Sequence, residues 1–123
     1  MIDRIYSAGV HVRDYAEAFD FYVNKLGFEE RGGQSMVGGA FWLEVAPTGS
    51  QTVLALTPPE PGTEDGQVGI YTRVIFSTDD IYKTYESLAS RGVQFVQKPV
   101  RQPWGALIAV FQDPDGNTFM LTE

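Results

Sequence analysis

The chain holds few side chains that could carry out acid–base or nucleophilic chemistry. It has one histidine, His11, and no cysteine among its 123 residues. Thiolate nucleophiles, thiolate metal sites and disulfides are therefore excluded. Imidazole can act as a general base near neutral pH, but a second group must orient it, and the sequence identifies none. A strand-end histidine bonded to solvent or backbone is the alternative. No Ser-His-Asp arrangement or glycine-rich phosphate loop can be assembled either.

A second kind of candidate could bind a ligand without reacting with it. Trp42 and Glu44 alternate with Leu43 and Val45, so they share one face of a predicted strand. If that face lines a cavity, it offers an aromatic wall and one anionic contact, suited to a flat apolar ligand with a cationic group. If it points outward, Glu44 is solvated and Trp42 packs beneath a helix or another subunit. We favour the outward or interface role for Glu44, because charged strand residues usually face water.

Two further candidates lie in the second half of the chain. Trp104 stands in the turn Pro103-Trp104-Gly105, where a large aromatic side chain has few core duties. It is the leading candidate for a ligand contact, and anchoring of the loop is the alternative. Arg73, if it projects into a cavity, needs an acidic neighbour or an anionic ligand. Glu44 could be that neighbour.

The bulk composition predicts one globular domain, residues 1–123, with 43% apolar content. A net charge of −7 disfavours a nucleic-acid partner, because affinity for phosphate backbones rests on Lys and Arg. The amino-terminal residues enter a strand-like pattern without a signal-peptide pattern, and no apolar run approaches membrane-spanning length. We expect a cytoplasmic protein with no membrane partner.

The predicted helices and strands that must position these candidates occur twice along the chain. Asp14 and Gly27 bracket one helix-like segment, and Asp79 and Gly92 bracket another 65 residues later. Each Asp can cap a helix and each Gly can end one in a left-handed conformation. The first segment carries Glu17 at the capping-box position and apolar residues at helical spacing: Ala18, Phe19, Tyr22, Val23 and Leu26.

The other segments predict eight strands, roughly at 4–12, 29–36, 39–46, 51–57, 70–77, 94–98, 106–112 and 117–122. Between the halves, residues 58–68 are rich in proline, glycine and acidic residues, which predicts a linker. The fold class is therefore α+β, with two βαβββ modules at about 1–57 and 69–123. We expect the modules to curl into a half-open cup of mixed sheet.

Several motifs in this order resemble the vicinal oxygen chelate superfamily, which includes glyoxalase I, extradiol dioxygenases, fosfomycin-resistance thiol transferases and bleomycin-resistance proteins. The resemblance covers almost the whole chain. It is carried by residues 12–15 (VRDY), 21–28 (FYVNKLGF), 102–105 (QPWG) and 111–117 (FQDPDGN). Structural roles explain the second and fourth of these as a helix end and a turn. The motifs identify a scaffold, so function must be inferred from the site.

The resemblance implies four positions at which metal-using relatives place His or Glu ligands. Here those positions hold Ser7 and Arg73 on the first strand of each half, and Ala55 and Met120 on the last strands. Ala and Met offer no oxygen or imidazole nitrogen, Arg73 is a cation, and Ser7 alone is a poor donor. We therefore expect no metal cofactor. His11 follows Ser7 by four residues on the same face, and the resemblance places it in the substrate cavity.

The resemblance favours a metal-independent small-molecule-binding protein of the bleomycin-resistance type, with an aromatic or amphipathic ligand in the cup and a homodimeric assembly. The expected pocket residues are Ser7, His11, Trp42, Ala55, Arg73, Trp104, Phe111, Phe119 and Met120. One alternative is a glyoxalase-like lyase or isomerase, or a dioxygenase-type enzyme, with a non-standard site. Another is a subunit whose cavity is vestigial and whose interface matters most.

Overall fold

The computed structural model describes residues 1–63 and 66–123 in full, and only the backbone of residues 64 and 65. The chain divides into two compact units, Met1–Val68 and Gly69–Glu123. None of the helices among the described residues is long and apolar enough to cross a membrane.

The first unit is a four-stranded sheet with one helical segment packed on it. Its strands lie in the order β1-β4-β3-β2, with β1 parallel to β4 and the other pairs antiparallel. Its elements are β1 (Ser7–His11), α1 (Tyr15–Phe19) continued by a π-helical segment (Asp20–Lys25), β2 (Glu29–Ser35), β3 (Phe41–Ala46), β4 (Val53–Thr57) and α2 (Glu64–Gln67).

The second unit repeats this architecture, with strand order β5-β8-β7-β6 and a parallel β5–β8 pair. Its elements are β5 (Tyr71–Ser77), α3 (Ile81–Ser90), β6 (Gln94–Arg101), β7 (Leu107–Gln112) and β8 (Thr118–Thr122). The predicted α+β class and the tandem βαβββ order are confirmed. The predicted linker at 58–68 contains one short helix, α2. β6 continues three residues beyond its predicted end, with Pro99 inside the register shift between Gln97 and Val100.

The first helical segment begins at the predicted cap. The Asp14 carboxylate accepts a hydrogen bond from the Glu17 backbone N–H at 2.8 Å. Gly27 ends the segment with φ of 80°, and the Phe28 N–H bonds to the Tyr22 carbonyl at 3.0 Å. This is the left-handed glycine terminus that the sequence predicts.

The cap predicted for the second helix is wrong by one residue. Asp80, not Asp79, caps α3, and its carboxylate accepts from the Lys83 N–H at 3.1 Å. Gly92 still ends the helix, with φ of 91°. The first segment is one residue longer between cap and glycine because it contains a π-helical turn, which absorbs one extra residue. The strict 65-residue spacing therefore fails at this cap.

The motif at 111–117 forms a turn whose side chains fasten the start of the second unit. Asn117 is fully buried, and its Oδ1 accepts from the N–H groups of Gly69 at 2.8 Å and Ile70 at 3.2 Å. Its Nδ2 donates to Asp113 Oδ2 at 2.9 Å. Asp113 Oδ1 accepts from the N–H groups of Asp115 and Asn117, both at 2.9 Å. The motif thus satisfies buried polar groups, and its predicted structural role is consistent with this geometry.

Each sheet has a helix face, which packs on the helical segment, and an open face on the other side. In the first unit, α1 packs on β3, and Tyr15 contacts Phe41 edge-on with ring centres 5.7 Å apart. Leu43, Val45 and Leu56 are fully buried on that helix face. Residues one position away along each strand point to the open face, because strand side chains alternate.

Candidate functional site

The open face of the first unit carries Trp42 and Glu44. Trp42 is 38% exposed and Glu44 is half-buried, whereas Phe41 and Leu43 occupy the helix face. Trp42 therefore does not pack beneath the helix, and the other part of the outward interpretation, packing against another subunit, stays a prediction. The sequence showed that these residues share a face, and the contact between α1 and β3 decides which face it is.

Three small residues, Gly9, Ala55 and Gly32, lie in one row with Glu44 across the same open face. Strand register aligns Gly9 with Ala55, Ala55 with Glu44, and Glu44 with Gly32. A Cβ atom added at Gly9 would meet no other atom within 4 Å. The small residues of this row therefore project little above the sheet backbone, and Trp42 lies next to the row on the same face. A flat ligand could approach the backbone here.

Glu44 has a partner that the sequence did not reveal. The Tyr6 hydroxyl donates to Glu44 Oε1 at 2.8 Å, and the Arg4 guanidinium carbon lies 5.5 Å from the centre of the Tyr6 ring. The hydrogen bond to Glu44, reinforced by its negative charge, raises the pKa of the Tyr6 hydroxyl. Glu44 was suggested as a neighbour for Arg73 and that pairing stays a prediction, whereas within the first unit Glu44 has a hydrogen bond from Tyr6. Tyr6 lies in the predicted strand at 4–12 but precedes β1, which begins at Ser7, and strand periodicity does not reveal a contact between positions 38 residues apart.

His11 lies at the end of β1, half-buried on the open face. Its Nδ1 is 3.2 Å from both the carbonyl oxygen and the hydroxyl of Thr57, which stands opposite it on β4. Either Nδ1–H donates to the carbonyl or Nδ1 accepts from the hydroxyl. Thr57 therefore orients the imidazole, although sequence reasoning identified no such group. Thr57 is neutral, so this contact fixes the position of the ring without supplying a charged partner.

The open face of the second unit carries Arg73 and Met120. Register aligns Tyr71 with Thr118 and Ile75 with Met120, which puts these four residues on the open face. The Arg73 guanidinium carbon lies 5.7 Å from the centre of the Tyr71 ring, so it stands over the same face. Arg73 is exposed rather than buried. It has a backbone φ of 64°, an uncommon conformation for arginine.

Trp104 lies in the β6–β7 hairpin turn. The turn is closed by hydrogen bonds from the Gln102 N–H to the Ala106 carbonyl at 2.7 Å and from Arg101 Nη1 to the Gly105 carbonyl at 2.7 Å. Trp104 itself is 72% exposed. It does not anchor the loop, since so exposed a ring has little packing to contribute. A contact with a ligand or partner would use this surface.

Phe111 and Phe119 were expected in the pocket, but the structure places them in the core. They are 2% and 0% exposed, with ring centres 5.6 Å apart, and both lie within 6.1 Å of the Phe76 ring centre. Both belong to the helix face of the second sheet, opposite Met120. Neither presents a surface to a ligand. Alternation alone could not decide which face α3 covers.

The four positions where metal-using relatives place ligands do not provide a metal-binding set. Ser7 and Ala55 lie on adjacent strands of the first open face, and Arg73 and Met120 lie on the second. One hydroxyl, one methyl, one guanidinium and one thioether do not fit the oxygen and nitrogen ligands of Zn²⁺, Mg²⁺ or Ca²⁺. Among the described side chains, no three His, Asp or Glu residues come together as a metal-binding group.

Comparison with known proteins gives the family. The model of the glyoxalase/bleomycin resistance protein/dioxygenase superfamily matches residues 4–121. The chain belongs to this superfamily. A superfamily member from Sphaerobacter thermophilus DSM 20745 superposes with a TM-score of 0.88 at 39% identity, covering 99% of this chain and 98% of that one.

Two other proteins are similar to this chain along almost their whole length. TnmS3, an antibiotic binding protein from Streptomyces sp. CB03234, superposes with a TM-score of 0.82 at 36% identity, covering 98% of this chain and 95% of that chain. The uncharacterized protein YetH of Bacillus subtilis (strain 168) is 36% identical over 123 residues, covering both chains completely. The scaffold identified from the sequence motifs is therefore confirmed.

Proposed function

We propose that this superfamily member binds an aromatic or amphipathic small molecule without a metal ion, in the manner of the bleomycin-resistance type. TnmS3, which is 36% identical, is an antibiotic binding protein. Sequestration of a ligand requires affinity rather than reacting groups. The homodimer expected from the family resemblance belongs to the same proposal, and light scattering at micromolar concentration tests it.

The observation that carries this proposal is the arrangement on the first open face. Trp42 is 38% exposed and stands beside the low row formed by Gly9 and Ala55. His11, held by Thr57, supplies one polar group at the end of the same face. An aromatic wall, an accessible floor and a few fixed polar groups are the usual components of a small-molecule site. On the second unit, exposed Trp104 is the corresponding candidate.

Metal independence is supported by the chemistry of the side chains at the four ligand positions. A divalent ion held there would need oxygen or nitrogen donors, and Ala55, Met120 and Arg73 cannot donate to it. Ser7 alone could contribute one neutral oxygen. Binding that uses packing and hydrogen bonds is therefore expected to survive removal of divalent ions.

The test uses N-phenyl-1-naphthylamine, a neutral aromatic probe whose emission rises in apolar surroundings. Titrations compare the original protein with Trp42→Ala and Trp104→Ala, after dialysis against EDTA and again with Zn²⁺, Ni²⁺ or Mn²⁺ added. Loss of a ring that contacts the probe is expected to weaken binding roughly tenfold, which corresponds to about 1.4 kcal/mol. Tyr82→Ala is the control, because Tyr82 is another exposed aromatic residue, 52% exposed, on α3.

Retention of full affinity by both tryptophan variants would refute the assignment of the binding surface. Binding that appears only after a divalent ion is added would refute metal independence and favour the enzyme alternative. Loss of affinity in Tyr82→Ala of the same size would show that the probe reports general surface aromaticity.

A further inference from the structure

Arg73 adopts a backbone conformation that arginine rarely takes. Its φ of 64° makes it the only non-glycine residue with positive φ in the part of the chain that the structure describes. In this region the Cβ atom of an L-residue crowds its own backbone, and the short polar side chains of Asn and Asp tolerate it better than arginine does. Glycine would fit without that cost. An arginine here therefore indicates that its side chain is needed at this place.

The strand around Arg73 contains a bulge that holds this conformation. Between the pairs Tyr71–Thr118 and Ile75–Met120, three residues of β5 stand opposite one residue of β8. The Thr72 hydroxyl donates to the Thr118 carbonyl at 2.8 Å and accepts from the Val74 N–H at 3.1 Å. Bulges of this kind re-aim a side chain locally. Arg73 lies within this bulge, and its guanidinium stands over the Tyr71 ring on the open face.

The Arg73 guanidinium has one contact with a neighbouring side chain among the described residues. It lies 5.7 Å from the centre of the Tyr71 ring, and no ion pair between it and a carboxylate of the described residues is observed. Ile75 is 56% exposed, and with half-buried Met120 it forms apolar surface on the same open face. This part of the open face therefore combines aromatic and aliphatic side chains with one guanidinium, which can donate up to five N–H hydrogen bonds.

We propose that Arg73 binds an oxyanion, such as a carboxylate or sulfonate, carried by an aromatic ligand whose apolar body lies on Tyr71, Ile75 and Met120. This inference rests on the proposed small-molecule function and names the class of ligand. The net charge of −7 repels anions at long range. Selectivity for an anionic ligand must therefore come from the short-range hydrogen bonds that the guanidinium donates. Paired hydrogen bonds from a guanidinium to an oxyanion are strong and oriented. Such contacts would explain why arginine occupies a position whose positive φ costs stability.

The test compares two probes that differ only in the charged group. 8-Anilinonaphthalene-1-sulfonate carries a sulfonate, and N-phenyl-1-naphthylamine is the same aromatic framework without it. Both are titrated by fluorescence against the original protein, Arg73→Gly, Arg73→Ala and Lys98→Gln. Lys98 is an exposed cation on β6, so its variant removes one positive charge from the same unit. Comparing each variant by the ratio of its two dissociation constants cancels changes in general hydrophobic binding.

Both Arg73 variants are expected to bind the sulfonate probe roughly tenfold more weakly and the neutral probe within about twofold of the original protein. Lys98→Gln is expected to leave both constants unchanged. Arg73→Gly is also expected to melt at a higher temperature than Arg73→Ala, because alanine retains the steric cost of positive φ and glycine does not. That comparison shows that loss of binding in Arg73→Gly does not arise from misfolding.

Unchanged sulfonate affinity in the Arg73 variants, or an equal loss for both probes, would overturn the inference. If the neutral probe still binds and still depends on Trp42 or Trp104, the proposed function stands without it. If neither probe binds the original protein, the inference and the proposed function both fail. An equal effect of Lys98→Gln would show that net charge alone, rather than the Arg73 fork, selects the anion.

Discussion

Replacing Asn117 by alanine removes the side chain that connects the β7–β8 turn to the start of the second unit. Asn117 is fully buried. Its amide oxygen accepts from two backbone N–H groups, those of Gly69 and Ile70, and its amide nitrogen donates to Asp113 Oδ2. Alanine leaves all three partners without the amide. The backbone N–H of residue 117 keeps its own bond to Asp113 Oδ1.

The expected loss follows from those three contacts. Each backbone N–H that loses its acceptor costs about 1 kcal/mol, since both contacts are only partly buried and water can satisfy part of the deficit. A hydrogen bond to a carboxyl group contributes about 1.5 kcal/mol or more. The free energy of unfolding should therefore fall by roughly 3–4 kcal/mol, a large share of the roughly 5–15 kcal/mol typical of natural domains.

Urea unfolding followed by circular dichroism measures this loss. Asn24→Ala is the matched control, because Asn24 Nδ2 donates to Asp20 Oδ1 at 3.0 Å on an exposed helix surface. Such a pair contributes no more than about 0.5 kcal/mol. A loss below about 1 kcal/mol for Asn117→Ala, or equal losses in the two variants, would refute the reasoning.

Asn117→Asp adds a pH dependence to the same argument. The aspartate side chain keeps one oxygen that can accept from the Gly69 and Ile70 N–H groups. Its second carboxyl oxygen takes the place of Nδ2, which lies 2.9 Å from Asp113 Oδ2. Two carboxylates at that distance raise the pKa of one of them in the folded state. The folded variant then holds a proton that the unfolded chain releases, so its stability should fall as pH rises from about 4, the ordinary pKa of Asp, through the raised pKa. A stability difference from the original protein that does not change between about pH 4 and pH 8 would contradict this.

Two further predictions concern single hydrogen bonds. Asp80→Ala should lower the free energy of unfolding by about 1 kcal/mol because its carboxylate caps α3 through the Lys83 N–H, whereas Asp79→Ala should change it by less than about 0.5 kcal/mol; equal losses in urea unfolding would contradict the assigned cap. Glu44→Gln should lower the pKa of Tyr6 toward its ordinary value of 10.0, measured by tyrosine absorbance against Tyr6→Phe as control. Because that pKa is raised in the folded state, the bond stabilises the fold below about pH 10 and is lost as pH rises through the raised value. An unchanged titration in Glu44→Gln would show that the bond is absent in solution.

Local patterns predicted most of the fold because the determining residues are close together in sequence. Gly27 and Gly92 both adopt positive φ, at 80° and 91°, as helix-ending glycines do. Alternation in residues 41–45 predicted β3, one of the two central strands of the first sheet. These signals depend on backbone sterics and side-chain periodicity, which act over a few residues.

The remaining features depend on contacts between distant segments. The π-helical turn before Gly27 shifts the cap spacing by one residue, and periodicity does not detect a single extra residue. The bonds between Tyr6 and Glu44, and between His11 and Thr57, join positions 38 and 46 residues apart. The assignment of Phe111 to the core required knowing which face α3 covers. Tertiary packing decides each of these, so single-sequence reasoning could only leave them open.

The two units show why the candidate site had to be identified from side chains rather than from the repeat. Register aligns Gly9, Ala55 and Glu44 across the first open face, and the equivalent positions of the second are Ile75, Met120 and Val110. The first row consists of two small residues and a glutamate, whereas the second consists of larger apolar side chains next to Arg73. The same backbone thus presents two chemically different surfaces. A ligand that uses both aromatic packing and an anionic group would place different demands on each face, so variants of Trp42 and Arg73 should differ in which probe they weaken.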